Sequence, residues 1–88
     1  MSMYYVYVLQ SEADTKLYVG YTGDLRVRLR LHNAGRVEST QGRRPLKLVY
    51  YEACLNQGDA LKREKYLKTA YGKRYLKNRL RGYFDGLQ

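Results

Sequence analysis

Residues 3–22 read MYYVYVLQSEADTKLYVGYT, and this stretch decides the fold. Tyrosine and valine, which favour β-strands, dominate residues 3–10 and residues 15–22. The polar residues 11–14 between them are typical of a turn. The sequence therefore predicts two neighbouring strands that form an antiparallel hairpin.

The length of this turn determines which side chains face each other across the hairpin. A loop of residues 11–14 pairs Gln10 with Thr15. In that register Tyr7 lies directly opposite Tyr18, on one face of the sheet. A slip by one residue would put the two tyrosines on different faces, so their pairing is a prediction about register.

The remaining elements follow from helical spacing, capping residues and helix breakers. They are a helix over residues 25–35, a strand over residues 46–54, a helix over residues 56–71 and a helix over residues 73–83. Gly72 is expected to separate the last two helices, and residues 35–45 are predicted to form a polar, mobile, basic loop. The order β-β-α-β-α-α predicts an α+β fold, a small three-stranded antiparallel sheet flanked by helices, in a single domain of residues 1–88.

A large positive charge is the strongest signal in the composition. Seventeen Lys and Arg residues oppose eight Asp and Glu residues, which gives a formal net charge of +9 on 88 residues. Between Lys62 and Arg81, nine basic residues accompany one acid, Glu64. Such clustering favours a phosphate-rich partner, because binding releases the counterions condensed on phosphates. A nucleic acid is therefore the expected partner, ahead of an anionic membrane surface.

The chain shows no sign of membrane insertion or secretion. No apolar run approaches the ~20 residues that a membrane span needs. The N-terminal segment lacks the basic start and the small-residue cleavage site of a signal peptide. A single cysteine, Cys54, cannot form an internal disulfide, which agrees with a reducing compartment. We therefore expect a cytoplasmic protein with no membrane partner.

Four polar residues of the predicted hairpin and first helix could carry chemistry. Tyr7 and Tyr18 form the facing pair, and tyrosine hydroxyls can transfer protons, although strand tyrosines also pair simply by packing. Arg28 and His32 lie one turn apart on the predicted helix, a spacing that surface helices often show as well. Spacing alone does not show whether these four residues pack in the core or take part in a reaction.

Glu64 is the most informative single residue. It lies between Ala60 and Leu67 on the apolar stripe of the second predicted helix. A carboxylate there loses hydration unless it is paired or binds a metal. One interpretation is an ion pair, for example with Arg28. The other is a ligand for Mg²⁺, which proteins often hold through one or two carboxylates together with water and phosphate.

Several other chemistries are excluded by the residues available. One Cys and one His cannot form a structural zinc site with its usual four ligands. No Gly-rich nucleotide loop followed by Lys-Ser or Lys-Thr occurs in the chain. The serines have no obvious base nearby, which argues against a covalent hydrolase.

The order and spacing of these residues resemble the GIY-YIG nuclease superfamily over nearly the whole chain. The matching positions are Tyr5-Val6-Tyr7, Tyr18-Val19-Gly20, Arg28, His32 and Arg63-Glu64. The similarity is greatest to small stand-alone bacterial members related to the catalytic domain of the C component of excinuclease ABC. The chain departs from the pattern where Tyr5 replaces a glycine and where valine replaces isoleucine in both motifs.

The resemblance implies a role for each matching side chain. Tyr7 and Tyr18 would serve the attacking water, with Tyr7 favoured as the general base. Arg28 would contact the scissile phosphate, and His32 would assist. Glu64 would hold a single Mg²⁺ or Mn²⁺ ion. The implied activity is metal-dependent hydrolysis of DNA phosphodiester bonds, in repair or recombination.

Contacts to DNA are expected from basic residues outside this site. They are Arg43 and Arg44 in the loop, and Lys73, Lys77 and Arg81, which recur at i+4 spacing. These residues would contact phosphates with little base preference. The resemblance also makes Asn78 a candidate site residue. Sequence-specific cutting would require a homodimer or another partner, because so short a chain lacks a separate specificity domain.

Two other functions stay open on the sequence alone. One is a non-catalytic nucleic-acid-binding module that keeps the nuclease fold, although pure binding does not need the carboxylate of Glu64 among basic residues. The other is a structural or adaptor protein whose charge serves contact with RNA. A preference for RNA over DNA in a competition assay would favour the adaptor.

Overall fold

The structure is a computed structural model that describes residues 2–87. Its three strands are β1 (Tyr4–Ser11), β2 (Leu17–Thr22) and β3 (Leu46–Cys54). Its helices are α1 (Leu25–Asn33), α2 (Gln57–Leu67), α3 (Ala70–Arg79) and α4 (Arg81–Asp85), with a 3-10 turn at Gln41–Arg43 before β3. The strands form one antiparallel sheet in the order β2-β1-β3. The predicted α+β class is confirmed, with the last predicted helix divided into α3 and α4.

The central strand β1 is covered by helices on both faces. Successive side chains of a strand point to opposite faces, so its valines point one way while Tyr7 and Leu9 point the other. The face of the sheet that carries these valines, which we call the valine face, packs against α2 and α3. The buried residues of this contact are Val6, Val8, Val19, Ala60, Leu67, Leu76 and Leu80. On the opposite face, which we call the tyrosine face, α1 packs through Leu25 and Leu29.

The register of the hairpin differs from the prediction by two residues. Tyr7 pairs with Gly20 rather than with Tyr18. The strand β1 continues to Ser11, whose hydroxyl oxygen accepts two backbone N–H groups of the turn at 3.1 and 3.2 Å, so the loop becomes residues 12–16. A shift of two residues keeps both tyrosines on the same face, and their ring centroids lie 6.4 Å apart.

Gly20 leaves room for the ring of Tyr7. A Cβ atom at position 20 would overlap the hydroxyl and ring atoms of Tyr7. Glycine ordinarily weakens a strand, but at this position any larger residue would overlap Tyr7. Because position 20 has no side chain, the ring of Tyr7 can lie against the backbone of β2.

The helices are short, and α1 lies close to its predicted residues. Its N-terminus is capped by Asp24, whose carboxylate accepts the N–H of Val27 at 3.2 Å. Just beyond its C-terminus, Gly35 has a positive φ of 77°, which glycine adopts readily. Across residues 2–87, none of the helices is long and apolar enough to cross a membrane.

The boundary between α2 and α3 lies earlier than predicted. Thr69 caps α3, because its hydroxyl oxygen accepts the N–H of Gly72 at 3.2 Å. Gly72 therefore lies buried in the first turn of α3 and does not break a helix. A Cβ atom at this position would overlap the backbone of Tyr66 and Leu67. Glycine is needed here because the start of α3 lies directly against the end of α2.

The loop between α1 and β3 is not the wholly polar segment that we expected. Val37 and Thr40 are buried within it. Asn33, at the end of α1, bonds to both backbone groups of Leu46: its amide donates to the carbonyl at 2.9 Å, and its oxygen accepts the N–H at 2.8 Å. These contacts tie the loop to the start of β3.

Candidate active site

A hydrogen-bonded cluster surrounds the hydroxyl of Tyr7 on the tyrosine face. This hydroxyl lies 2.8 Å from Nε2 of His32, and it accepts a hydrogen bond from Nε of Arg28 at 3.3 Å. The ring of Tyr18 lies edge-on to that of His32, with ring centroids 5.2 Å apart. The structure thus brings together the four polar residues that the hairpin and first helix were predicted to contribute.

Local geometry explains why these side chains meet. Helix α1 packs on the tyrosine face, and residues four apart lie on one side of a helix, so Arg28 and His32 both reach Tyr7. Tyr18 comes from the neighbouring strand β2, on the same face as Tyr7 because strand side chains alternate. The site therefore depends on one helix and two strands.

Thr40 also belongs to the cluster, although no feature of the sequence singled it out. Its Oγ1 lies 2.7 Å from Nδ1 of His32, and both side chains are fully buried. The hydroxyl of Tyr7 accepts from Arg28, so its own proton needs an acceptor, and within residues 2–87 that acceptor is Nε2 of His32. The proton of the neutral imidazole then lies on Nδ1, which donates it to Thr40.

Burial sets the protonation states of the cluster. Burial and, secondly, the positive charge of Arg28 lower the pKa of His32 to about 4, so this imidazole is neutral at pH 7. Burial also raises the pKa of Tyr7 above its ordinary value, against the opposing hydrogen bond and charge of Arg28. The hydrogen bond to Tyr7 in turn raises the pKa of Arg28. The resting cluster is a protonated phenol between a neutral imidazole and a guanidinium.

Glu64 lies on the inward side of α2, as predicted, with 19% of its side chain exposed. Its Oε2 accepts a hydrogen bond from Nζ of Lys68 at 3.0 Å. The ion pair that we considered with Arg28 is therefore made with Lys68 instead. The negative charge of Glu64 is close enough to Tyr7 to contribute to the raised pKa of that hydroxyl. The carboxylate thus acts electrostatically on the tyrosine cluster.

The surroundings of Glu64 suit a metal ion held by a single protein carboxylate. Among residues 2–87 no group of three or more His, Cys, Asp or Glu side chains could hold an ion. Mg²⁺ does not require such a group, since one or two carboxylates, water and substrate phosphates commonly bind it. The other oxygen of this carboxylate, Oε1, makes no hydrogen bond or ion pair to the described part of the chain. Glu64 therefore has an oxygen to offer to a hard cation.

The residue before Glu64 is held in place by a network that the sequence did not indicate. Arg63 forms a bidentate ion pair with Glu52 of β3, at 2.8 and 2.9 Å, and lies 4.6 Å from the ring centroid of Tyr75. Partial burial acts to raise the pKa of Glu52, but the hydrogen bonds from Arg63 and Tyr50 hold it below its ordinary value. This ion pair ties α2 to β3 and so orients the helix that carries Glu64.

Three predicted DNA-binding residues lie together, outside the tyrosine cluster. Lys73, Lys77 and Arg81 line a groove of about 940 Å³ beside α3 and α4. Asn78 lines the same groove, and its side-chain oxygen accepts a hydrogen bond from Arg81 at 2.9 Å. The structure therefore places Asn78 with the basic residues and not beside Tyr7.

The two arginines of the loop differ in how they are engaged. Arg43 forms an ion pair with Asp14 at 3.4 Å and donates from Nη2 to the carbonyl of Leu17 at 3.5 Å. Arg44 is exposed and donates from Nε to the carbonyl of Gln41 at 2.9 Å. Arg43 thus helps to hold the loop against the hairpin, whereas Arg44 is the better placed of the two to reach a phosphate.

Fold and site together define a small α+β domain with a tyrosine-centred polar site, and the chain is similar to known proteins over most of its length. Residues 3–80 match the family described as GIY-YIG catalytic domain. A UPF0213 protein of Staphylococcus haemolyticus is 40% identical over 70 residues, which cover 78% of this chain and 84% of the relative. A UPF0213 protein of Pediococcus acidilactici is 42% identical over 81 residues, which cover 85% of this chain and 82% of the relative.

A solved structure shows the same similarity. The solution NMR structure of a UPF0213 protein from Bacillus halodurans matches with a TM-score of 0.53 and 32% sequence identity, over 84% of this chain and 81% of that chain. The chain therefore belongs to the GIY-YIG family, and the resemblance found in its sequence is confirmed.

Proposed function

We propose that this protein is a divalent-metal-dependent endonuclease that hydrolyses DNA phosphodiester bonds. The observation that carries the proposal is the hydroxyl of Tyr7, which hydrogen-bonds to both His32 and Arg28 in one site. Membership of a family described as a catalytic domain supports a nuclease. The net charge of +9 supports a nucleic-acid substrate. We expect the protein to act in the cytoplasm, in DNA repair or recombination.

In this mechanism Tyr7 takes the proton from the attacking water. Burial keeps its phenol protonated at rest, so Tyr7 must pass on its own proton as it receives one from water. Its hydroxyl donates to Nε2 of His32, whose lone pair faces that proton. Burial makes the resting imidazole a weak base, so the negative charge of the bound phosphate must raise the pKa of His32 for the transfer to occur. Tyr18, whose ring lies beside His32, would position the water.

Arg28 would stabilise the negative charge that develops on the phosphate in the transition state. Its planar guanidinium presents several donors in a fixed geometry that matches phosphate oxygens. Donors held in place before the reaction contribute most, because they need no reorganisation as the charge forms. The hydrogen bond from its Nε to Tyr7 holds the guanidinium beside the proposed base.

Glu64 would hold the Mg²⁺ or Mn²⁺ ion, which when bound polarises a phosphate oxygen and stabilises the leaving oxygen. The present partner of this carboxylate, Lys68, has 52% of its side chain exposed. Such an exposed pair contributes only ~1 kcal/mol or less, so a divalent cation can replace the ammonium group. The ion pair between Arg63 and Glu52 would keep Glu64 oriented during this exchange.

Nicking of supercoiled plasmid tests the proposal. The purified protein should convert supercoiled plasmid to the open circle with Mg²⁺ or Mn²⁺, and EDTA should abolish the conversion. Glu64→Gln keeps the shape of the side chain but removes the charge, and should reduce nicking to background. Tyr7→Phe removes one hydroxyl and should lower the rate by about 10²- to 10⁴-fold, the usual contribution of a general base.

Matched variants control for general effects on charge and tyrosine content. Glu38→Gln and Tyr71→Phe change exposed residues and should nick like the wild type. If Glu64→Gln and Tyr7→Phe also nick at wild-type rates, the assigned site is wrong. If the wild type binds DNA but cuts no substrate with either metal, the protein is a binding module that retains the nuclease fold.

A further inference from the structure

A basic groove crosses the end of the molecule where the hairpin turn meets the last two helices. One wall is formed by the turn, including Lys16, and the other by α3 and α4. The cations that line the groove are Lys16, Lys73, Arg74, Lys77 and Arg81, and one acid, Asp85, accompanies them. The helical cations lie on one side of α3 and α4 because their positions repeat at spacings of three and four residues. The groove therefore concentrates positive charge from two separate parts of the chain.

Within residues 2–87, none of the five cations makes an ion pair. Lys73 and Lys77 lie four residues apart in α3, a spacing at which like charges destabilise a helix. Five unpaired cations in one groove repel one another, and a polyanion would relieve that repulsion. This arrangement differs from a solubilising surface, in which both signs of charge are interspersed.

The size and lining of the groove indicate a single strand rather than a duplex. Its volume of about 940 Å³ is that of a small-molecule site, so unpaired nucleotides fit inside it whereas the body of a double helix does not. Leu17 and Phe84 supply an apolar part of the lining. A charged groove with an aromatic side chain is typical of sites for single strands, in which phosphates contact cations and unpaired bases contact rings.

The groove lies on the other side of β2 from the tyrosine site. Leu17, which lines the groove, packs with the valine face, whereas the next residue, Tyr18, packs with the tyrosine face. Since β2 is an edge strand, nothing in the sheet separates the two sites beyond this one strand. A nucleic-acid strand that passes around the edge of β2 can therefore reach both sites.

We propose that this groove binds a single-stranded segment of nucleic acid that continues into the strand cut at Tyr7. The binding claim stands by itself, while the link to cutting rests on the proposed nuclease activity. The substrate class is then DNA in which a single-stranded tail or branch adjoins the cleavage point. The groove selects for that structure because a fully paired duplex has no unpaired bases to place against Leu17 and Phe84.

Binding of a labelled oligothymidine, measured by fluorescence polarisation, tests the groove without any catalysis. The double variant Lys73→Gln/Lys77→Gln should bind at least about tenfold more weakly than the wild type. Its plot of log affinity against log salt should be shallower by about 1.4, the slope expected for two phosphate contacts on a single strand. A blunt duplex of the same length should bind more weakly than the oligothymidine. The double substitution should weaken binding of the duplex by a smaller factor than binding of the oligothymidine.

The double variant Lys62→Gln/Lys65→Gln is the matched control, because it removes the same charge from exposed positions of α2 outside the groove. It should lose no more than about twofold in affinity for the oligothymidine. Equal losses in the two double variants would overturn the proposal, since net charge alone would then explain binding. Preference of the wild type for the blunt duplex would overturn it as well.

Cleavage then tests the link to the tyrosine site. A duplex with a single-stranded tail should be cut faster than a blunt duplex, and Lys73→Gln/Lys77→Gln should remove that preference. If both substrates are cut equally by the wild type, the link between the groove and the cut is wrong. If groove-dependent binding is found but no substrate is cut, the nuclease proposal fails while the groove as a single-strand site stands.

Discussion

The hydroxyl of Thr40 accepts the hydrogen bond of Nδ1 in the tautomer of His32 that the bond from Tyr7 selects. Its oxygen lies 2.7 Å from Nδ1, and the opposite ring nitrogen accepts a hydrogen bond from the hydroxyl of Tyr7. A buried imidazole whose Nδ1 proton has an acceptor keeps Nε2 unprotonated, as the proposed relay requires. Thr40 is therefore a positioning residue that acts on the site through His32.

Thr40→Val replaces the hydroxyl by a methyl group of similar size and should separate this role from simple packing. The unpaired Nδ1–H in the buried site should cost about 1–3 kcal/mol of stability. Nicking should fall by at least about tenfold under conditions in which the variant is fully folded, because the imidazole loses its preferred tautomer. Plasmid nicking and urea unfolding, measured on the same preparation, provide both values.

The neighbouring exposed residue offers the control for this variant. Ser39→Ala removes a hydroxyl from the same loop and should change neither nicking nor stability by a measurable amount. Full activity of folded Thr40→Val would show that the tautomer of His32 does not matter to the reaction.

The members of the cluster differ in how well they could be predicted from the sequence. Tyr7, Tyr18, Arg28 and His32 lie at regular spacings on a strand pair and a helix, so periodicity places them together. Thr40 lies in a loop without periodicity, and its position depends on how residues 34–45 pack. A single threonine in such a segment carries no signal before the fold is known.

At the scale of elements, the junction of α2 and α3 shows how closely two short helices approach. Gly72 lies where the first turn of α3 meets the backbone of Tyr66 and Leu67. The sequence indicated a glycine near a helix boundary, but two of its properties favour opposite interpretations. Glycine can end a helix, and it can also permit close contact inside one. Because Thr69 caps the start of α3, Gly72 lies inside that helix and its role is to permit close contact with α2.

Gly72→Ala should therefore destabilise the protein by about 1–3 kcal/mol, since the added methyl group must push α3 away from α2. Gly82→Ala is the matched control in the next helix, because a Cβ atom at that position meets nothing within 4 Å. Alanine is the better helix former, so the control should be neutral or more stable by up to about 1 kcal/mol. Equal stabilities of the two variants in urea unfolding would contradict this account of the junction.

The hairpin illustrates the limit of element prediction. Residue types located β1 and β2 correctly, because tyrosine and valine mark both strands. The register was wrong by two residues because the turn is organised by the side chain of Ser11, which accepts two backbone N–H groups. Such local hydrogen bonds compete with strand pairing in a way that residue preferences do not reveal.

At the scale of the whole molecule, His32 links folding stability to pH. The folded state lowers its pKa to about 4, whereas an unfolded chain has the ordinary value of about 6.5. Between these values the unfolded state binds more protons, so stability is fully present above pH 6.5 and falls as the pH falls toward 4. Glu52 and Asp14, whose pKa values are lowered by folding, contribute mainly below this window.

The free energy of unfolding should therefore decrease by about 2 kcal/mol between pH 7 and pH 5. Urea unfolding at the two pH values measures the difference, and His32→Gln should show almost none of it. His32 is the only histidine in the chain, so NMR titration of its imidazole gives the pKa even if the variant does not fold. An imidazole that titrates near pH 6.5 in the folded protein would exclude this source of pH dependence.

The architecture as a whole was predictable because the order of elements restricts a short chain to few arrangements. Two adjacent strands form a hairpin, and a third strand separated by a helix can add to either edge. In the observed order β2-β1-β3, the most apolar strand, β1, lies at the centre of the sheet with a neighbouring strand on each edge. What the order could not predict is that the basic residues of α3 and the tyrosine cluster lie on different sides of the sheet.

The central position of β1 in the sheet has a consequence for how heat would inactivate the protein. Tyr7 alternates along this strand with Val6 and Val8, and β1 is hydrogen-bonded on both edges. The proposed catalytic group therefore has no hinge or flap of its own, and it moves only if the middle of the sheet opens. Heat inactivation and loss of the fold should then be one event, with no inactive but folded state before it. Substitutions that only strengthen the core would raise the temperature at which the protein still works without slowing it.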